Sequence, residues 1–148
     1  MNSSTLRILS YLALLVFFVT ITINLCSHFG IELSDSAIFL PQIIVIGLAF
    51  PLVKMCNETM PDTNNGNLAH IFSATNGKYF LLLALIGLYG IINFFYFIHQ
   101  TKPFPRGEAP LYLESGIFSS GQMIFAFLEF IITNALIKIT GEKKLPNK

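Results

Sequence analysis

The chain has 148 residues, of which 53% are hydrophobic and 11% are charged, and its formal net charge is +1. Soluble domains carry about 25% charged residues, and a small domain exposes so much surface that it needs them to stay dissolved. The composition therefore excludes an ordinary soluble domain, and the apolar content excludes a disordered chain. The low net charge gives no basic excess for binding nucleic acid. The sequence predicts a small integral membrane protein that contacts the lipid bilayer as a single domain over residues 1–148.

Four apolar segments are long enough to cross a membrane as helices, since a bilayer core of about 30 Å requires about 20 residues. They run from about residue 6 to 26, 36 to 55, 79 to 99 and 119 to 139. Transmembrane β-strands would be about 10 residues long and would alternate in polarity, which these segments do not. The second segment contains Pro41, which we expect inside the helix because a helix that began there would be short for the bilayer. The sequence therefore predicts an all-α integral membrane protein, a small bundle of four transmembrane helices.

The positions of Lys and Arg predict the orientation of the chain, because cytoplasmic loops are enriched in both. Of the nine basic residues, seven lie at the start of the first segment, around the second loop, or at and beyond the end of the fourth segment. These seven are Arg7, Lys54, Lys78, Lys138, Lys143, Lys144 and Lys148. The distribution predicts that both termini lie on the inner side (N-in, C-in), and we expect the membrane to be the bacterial inner (cytoplasmic) membrane.

The fourth segment carries a polar stripe inside the predicted membrane span. Glu129 lies halfway along this segment, and an ionisable residue within lipid is a functional-site hypothesis by default. At 100° per residue, Gln122, Glu129 and Thr133 fall within an arc of about 40°, so the stripe should face other helices, a partner subunit or a water-filled cavity. Three roles are open for Glu129: a structural hydrogen-bond anchor, which includes subunit contact, a part in a proton or cation pathway, or a catalytic or ligand role. At matched depth, the neighbours expected for Glu129 are Tyr89, Gly90 and Gly47.

The third segment carries a run of small residues on one side. Gly87, Gly90 and Asn93 share an arc of about 120° on the helix. Small residues allow two helix backbones to approach closely, and an Asn side chain can hydrogen-bond across a helix interface. The sequence therefore predicts that these three residues form a helix-packing face.

No arrangement of residues indicates an enzyme, a metal site or a cofactor site. Phosphate-binding, dinucleotide-binding and hydrolase motifs are absent from the sequence. Glu129 is the sole acid inside a predicted helix, so chemistry with paired carboxylates lacks its second member. In the predicted topology Cys26 lies at the outer end of the first helix and Cys56 at the inner end of the second, too far apart for a disulfide. The His and Cys residues do not converge on a metal.

These observations predict a non-enzymatic accessory or interaction protein, whose polar stripe binds a membrane protein partner or a second copy. Small bacterial immunity proteins have a similar size and topology, an analogy that extends to the general build alone. The alternative is a small transporter or proton-coupled component that uses Glu129, and a lipid-modifying enzyme ranks third. A subunit contact predicts a stripe buried by protein, whereas a transporter predicts a hydrated cavity that reaches Glu129 from one side.

Overall fold

The computed structural model of the chain describes residues 3–59, 71–105 and 107–142, and the regular secondary structure over these ranges is helical. The four long helices are α1 (Ser3–His28), α2 (Asp35–Thr59), α3 (Gly77–Thr101) and α4 (Leu111–Glu142). Each is long and apolar enough to cross a membrane, which confirms the all-α prediction and points to a membrane protein. Helix α2 continues through Pro41 and Pro51, so the prediction that Pro41 lies inside the helix is confirmed.

Local signals fix the ends of two of these helices. Helix α1 ends where Gly30 adopts a positive φ of 68°, which a glycine reaches without the steric cost of a side chain. The Ile31 N–H then donates to the Cys26 carbonyl at 3.0 Å. This is the 6→1 hydrogen bond of a Schellman motif. At the start of α3, the Asn76 side chain accepts from the Lys78 N–H at 3.1 Å and caps the helix.

Helix α4 begins at Leu111, before the predicted start near residue 119. Hydropathy alone misses this first part because it contains Glu114 and Ser115. Ser115 is nevertheless buried, and its hydroxyl lies 2.7 Å from the hydroxyl of Ser27 on α1. The polar residues that lower the hydropathy here are therefore contacts between two helices, and the segment belongs to the bundle.

Helix α4 is the centre of the bundle, packing most extensively against α1, then against α3 and then against α2. Along α1, one face buries residues at alternating intervals of four and three, a spacing typical of helices that pack side by side. These residues are Leu6, Ser10, Ala13, Phe17, Thr20, Asn24 and Ser27. Four of the seven are Ser, Thr or Asn. The face that α1 buries is therefore rich in polar groups, each of which needs a partner.

The outward-facing surface of the bundle is apolar. Helix α3 buries the smallest share of its span among the four helices. Its exposed residues include Leu81, Leu85, Leu88, Ile92 and Phe95. Soluble proteins rarely expose a contiguous apolar surface of this kind. An apolar outer surface is what a bundle in contact with lipid chains would require, and it agrees with the length and composition of the four helices.

Candidate functional site

A buried hydrogen-bonded cluster centred on Asn24 joins α1, α3 and α4. The Asn24 Oδ1 atom accepts from Asn93 Nδ2 at 2.9 Å and from the Tyr89 hydroxyl at 3.2 Å. The Asn24 Nδ2 atom has three acceptors on α4 at 3.0–3.3 Å, namely Ser120 Oγ, Ser119 Oγ and the Gly116 carbonyl. These six residues are called the Asn24 cluster below. Because every polar group of the Asn24 amide has a partner, the cluster links three helices without leaving a polar group unpaired in an apolar medium.

Helix α3 approaches α4 closely at Gly90. A Cβ atom added there would lie 2.8 Å from the Ser120 carbonyl oxygen and 2.7 Å from Ile124 Cδ1. A Cβ atom added at Gly87 would meet no atom within 4 Å. Of the three residues in the predicted packing face, the structure therefore brings Gly90 and Asn93 against neighbouring helices, while Gly87 lies beside open space.

Sequence reasoning did not single out Asn24, although it identified Asn93, which bonds to it. Asn24 stands in an apolar run, and its importance depends on which face of α1 meets α4. The available signal was the regular spacing of polar residues along α1, from Ser10 through Thr20 and Asn24 to Ser27. That spacing places all four on one face, and a polar face inside the membrane must be paired with another helix.

A groove of about 980 Å³ lies between α2 and α4. Its lining is mainly apolar, with Gln42, Ile46, Phe50 and Val53 on the α2 side and Gln122, Phe125 and Glu129 on the α4 side. Phe50 and Phe125 are 74% and 60% exposed on the surface of the bundle. The groove therefore opens sideways between apolar side chains, at the outer surface of the bundle.

Two lining residues of this α2–α4 groove have polar atoms without partners. Gln122 and Glu129 are only 6% and 7% exposed. Gln122 Nε2 donates to the Ile38 carbonyl at 3.4 Å. Gln122 Oε1 and Glu129 Oε2 are buried and have no hydrogen-bond partner among the described residues. A buried acceptor that lacks a donor costs about 1–3 kcal/mol, so both side chains would gain from a donor brought into the groove.

The third residue of the predicted stripe, Thr133, is arranged differently. It is fully buried, and its hydroxyl donates to the Glu129 carbonyl at 2.6 Å. Thr133 is absent from the lining of the groove. Its polarity is satisfied within α4, so the structure brings only Gln122 and Glu129 of the stripe to the groove.

The surroundings of Glu129 also differ from the expected neighbours. The Tyr89 hydroxyl donates to Asn24 rather than to Glu129. On α2, the residues that line both cavities with Glu129 are Ala49, Val53 and Asn57, and Gly47 lines neither. A second cavity of about 330 Å³ is lined in part by the same residues, so Glu129 borders both cavities. Matched depth alone does not give the rotation of each helix about its axis, which decides these contacts.

Comparison with known proteins gives no relative from which to transfer a role. No family model, no curated protein and no solved structure matches this chain. Over the ranges that the structure describes, no three His, Cys, Asp or Glu residues are grouped so as to hold a metal ion. Cys26 and Cys56 are both free thiols. The α2–α4 groove, with its two unpartnered oxygens, is therefore the candidate site.

Proposed function

We propose that this chain is a non-enzymatic interaction protein of the membrane, which binds a partner within the bilayer through the α2–α4 groove. The observation that supports this function is the pair of buried oxygens on Gln122 and Glu129 that have no partner in a groove open to lipid. Polar side chains within a membrane usually hydrogen-bond to neighbouring helices. An occupant that donates to these oxygens would remove the cost of leaving them unpaired.

Site-specific photocrosslinking in the native membrane tests this function. A p-benzoylphenylalanine in place of Phe50 puts the reactive group at the mouth of the groove, where Phe50 is largely exposed. The same group in place of Leu88 is the matched control, because Leu88 is exposed on α3 away from the groove. We expect a discrete protein adduct from position 50 and lipid adducts from position 88. Lipid adducts alone at both positions would contradict the function.

We further propose that the chain lies in the bacterial inner membrane with both termini inside. The distribution of basic residues supports this orientation, although Lys143, Lys144 and Lys148 lie outside the described residues. Both free cysteines are half-buried. In this topology Cys26, near the end of α1, lies on the outer side of the membrane, and Cys56, near the end of α2, lies on the inner side. An impermeant maleimide added to intact cells should label Cys26 and should label Cys56 only after permeabilisation. Strong labelling of Cys56 in intact cells would overturn the orientation.

A second candidate function is a small transporter or proton-coupled component that uses Glu129. The observation in its favour is that Glu129 borders both the groove and the smaller cavity. Proton flux into liposomes containing the purified protein separates the two functions. A transporter loses its flux in Glu129→Gln, since an amide cannot release a proton, and keeps part of it in Glu129→Asp. Absence of flux in the unmodified protein favours the interaction function.

A further inference from the structure

We infer that the α2–α4 groove binds a single transmembrane helix of another protein, and that this helix carries two hydrogen-bond donors seven residues apart. The inference rests on the proposed function and specifies the chemistry of the partner. It follows from the spacing of the two unpartnered oxygens and from the length of the groove.

The two unpartnered acceptors lie two helical turns apart on one side of α4. Gln122 and Glu129 differ by seven residues, which corresponds to about 10.5 Å along the axis and a rotation of about 20° between them. A helix laid along the groove repeats its own side chains at the same interval of seven. Two donors at positions i and i+7 of such a helix therefore meet both acceptors. The head group of a lipid sits at one depth and reaches only one of them.

The groove is also long enough for a helix. It extends along α2 from Gln42 to Asn57, about 22 Å at 1.5 Å per residue, which is most of the bilayer core of about 30 Å. Its mouth is bordered by apolar side chains, with Phe50 and Phe125 exposed on its two sides. A transmembrane helix can therefore enter the groove from the side and bury apolar surface there, between the polar lining residues Gln42 at one end and Lys54 and Asn57 at the other.

Small side-chain rotations make the two oxygens available to such a partner. The terminal torsions of Glu and Gln are broad and roughly two-fold, so their oxygens turn at low cost. In Gln122 the rotation gives up the long 3.4 Å bond from Nε2 to the Ile38 carbonyl in exchange for a bond to the partner, and in Glu129 either carboxyl oxygen can turn toward the groove. Both residues line the groove, so no backbone movement is needed.

The donor type is restricted by how hydroxyl groups behave in helices. In this chain the hydroxyls of Thr20, Thr22 and Thr133 each donate to a carbonyl of their own helix, three or four residues earlier. A Ser or Thr hydroxyl has one hydrogen, so a helical Ser or Thr in a partner tends to use it in the same way. Amide side chains of Asn and Gln have two hydrogens and keep one free. Among the uncharged aliphatic side chains, we therefore assign the partner's donors to Asn or Gln.

The test uses fluorescent model peptides and the labelled full-length protein in phosphatidylcholine vesicles, with binding measured by energy transfer. The first peptide is a Leu–Ala transmembrane helix with Asn at two positions seven residues apart. The second has the same composition with the two Asn five residues apart, which puts them on different faces. The third has Leu at both positions. Peptide self-association is measured in vesicles without protein.

We expect the seven-spaced peptide to bind about threefold more tightly than the five-spaced one and about tenfold more tightly than the Leu peptide, because intramembrane hydrogen bonds average about 0.6 kcal/mol each. Gln122→Leu and Glu129→Leu should each remove about threefold of this preference. Glu129→Gln keeps an acceptor and should retain it. Thr133→Val, which changes a buried stripe residue outside the groove, is the matched control and should bind as the unmodified protein does.

Equal binding of the seven-spaced and five-spaced peptides, or no binding of either, would overturn the inference. Retention of the preference in Gln122→Leu and Glu129→Leu together would also overturn it. Failure here is distinguishable from failure of the proposed function. A protein adduct from position 50 without a spacing preference in the peptide assay would mean that a membrane partner exists but has other chemistry. Lipid adducts alone from position 50 would contradict the proposed function as well.

Discussion

The bundle contains two polar regions within its apolar helices, and they differ in whether their hydrogen bonds are complete. In the Asn24 cluster, the central amide has partners on α3 and α4 for both its oxygen and its nitrogen. In the α2–α4 groove, Gln122 and Glu129 each keep a buried oxygen without a partner among the described residues. The comparison shows that polarity alone does not distinguish the two regions, whereas the presence of unsatisfied polar atoms does.

The difference follows from the side chains at each interface. Where α1 and α3 meet α4, the contacting residues include Gly90, Gly116, Ser119 and Ser120, and small residues let helices approach until polar groups bond directly. Helix α2 instead presents longer side chains toward α4, such as Gln42, Ile46 and Val53. Its contact with α4 is less extensive than that of α1 or α3. The space that remains is the groove.

The largest effect is expected at Gly90, where α3 is held against α4. In Gly90→Leu the first added carbon would lie 2.8 Å from a backbone oxygen, so the helices must separate, at a cost of about 1–3 kcal/mol. Gly87→Leu is the matched control, since a Cβ there meets no atom within 4 Å. Thermal unfolding in mild detergent measures both variants. Equal losses of stability would show that α3 does not pack as described.

An intermediate effect is expected when the Asn24 cluster loses its centre. Asn24→Leu removes the amide and leaves Asn93 Nδ2 and the Tyr89 hydroxyl without this acceptor. With about 0.6 kcal/mol per bond, we expect the free energy of unfolding to fall by about 1–2 kcal/mol. A double-mutant cycle with Asn93→Leu should show that the two losses are not additive, since they share a bond. If the loss of stability in the double variant equalled the sum of the two single losses, Asn24 and Asn93 would not belong to one hydrogen-bonded network.

The smallest effect on stability is expected at Glu129. If Glu129 were a structural anchor, Glu129→Leu would lower the free energy of unfolding by about 1 kcal/mol, because its partners would lose their hydrogen bonds. Because Glu129 Oε2 has no partner among the described residues, we expect neither Glu129→Leu nor Glu129→Gln to lower the free energy of unfolding by more than about 0.5 kcal/mol. A loss in Glu129→Leu comparable to that of Asn24→Leu would make the two polar regions equivalent and remove the basis for the proposed site.

The sequence predicted the helices well because length and hydropathy determine whether a segment can span a bilayer. It also identified Gly90 and Asn93, since small and amide residues in a membrane helix favour contact. It missed Asn24 and the partner of Tyr89. In lipid, both the buried face and the outer face of a helix are apolar, so the pattern does not show which way each helix is turned. The space beside Glu129 depends on the shapes of two helices together, which neither segment reveals alone.

Helix α4, at 32 residues, is far longer than a membrane span requires. At 1.5 Å per residue it measures about 48 Å, against a hydrocarbon thickness of about 30 Å. Tilting accommodates only part of this mismatch, because even a tilt of about 40° leaves a projection of more than 30 Å on the membrane normal. By length, about three turns of an untilted α4, or about one and a half turns at that tilt, would extend into the head-group layer or beyond it. The Ser27–Ser115 contact, 2.7 Å long and near the start of α4, fastens the projecting part to the end of α1, so the bundle keeps its helical packing past the lipid boundary.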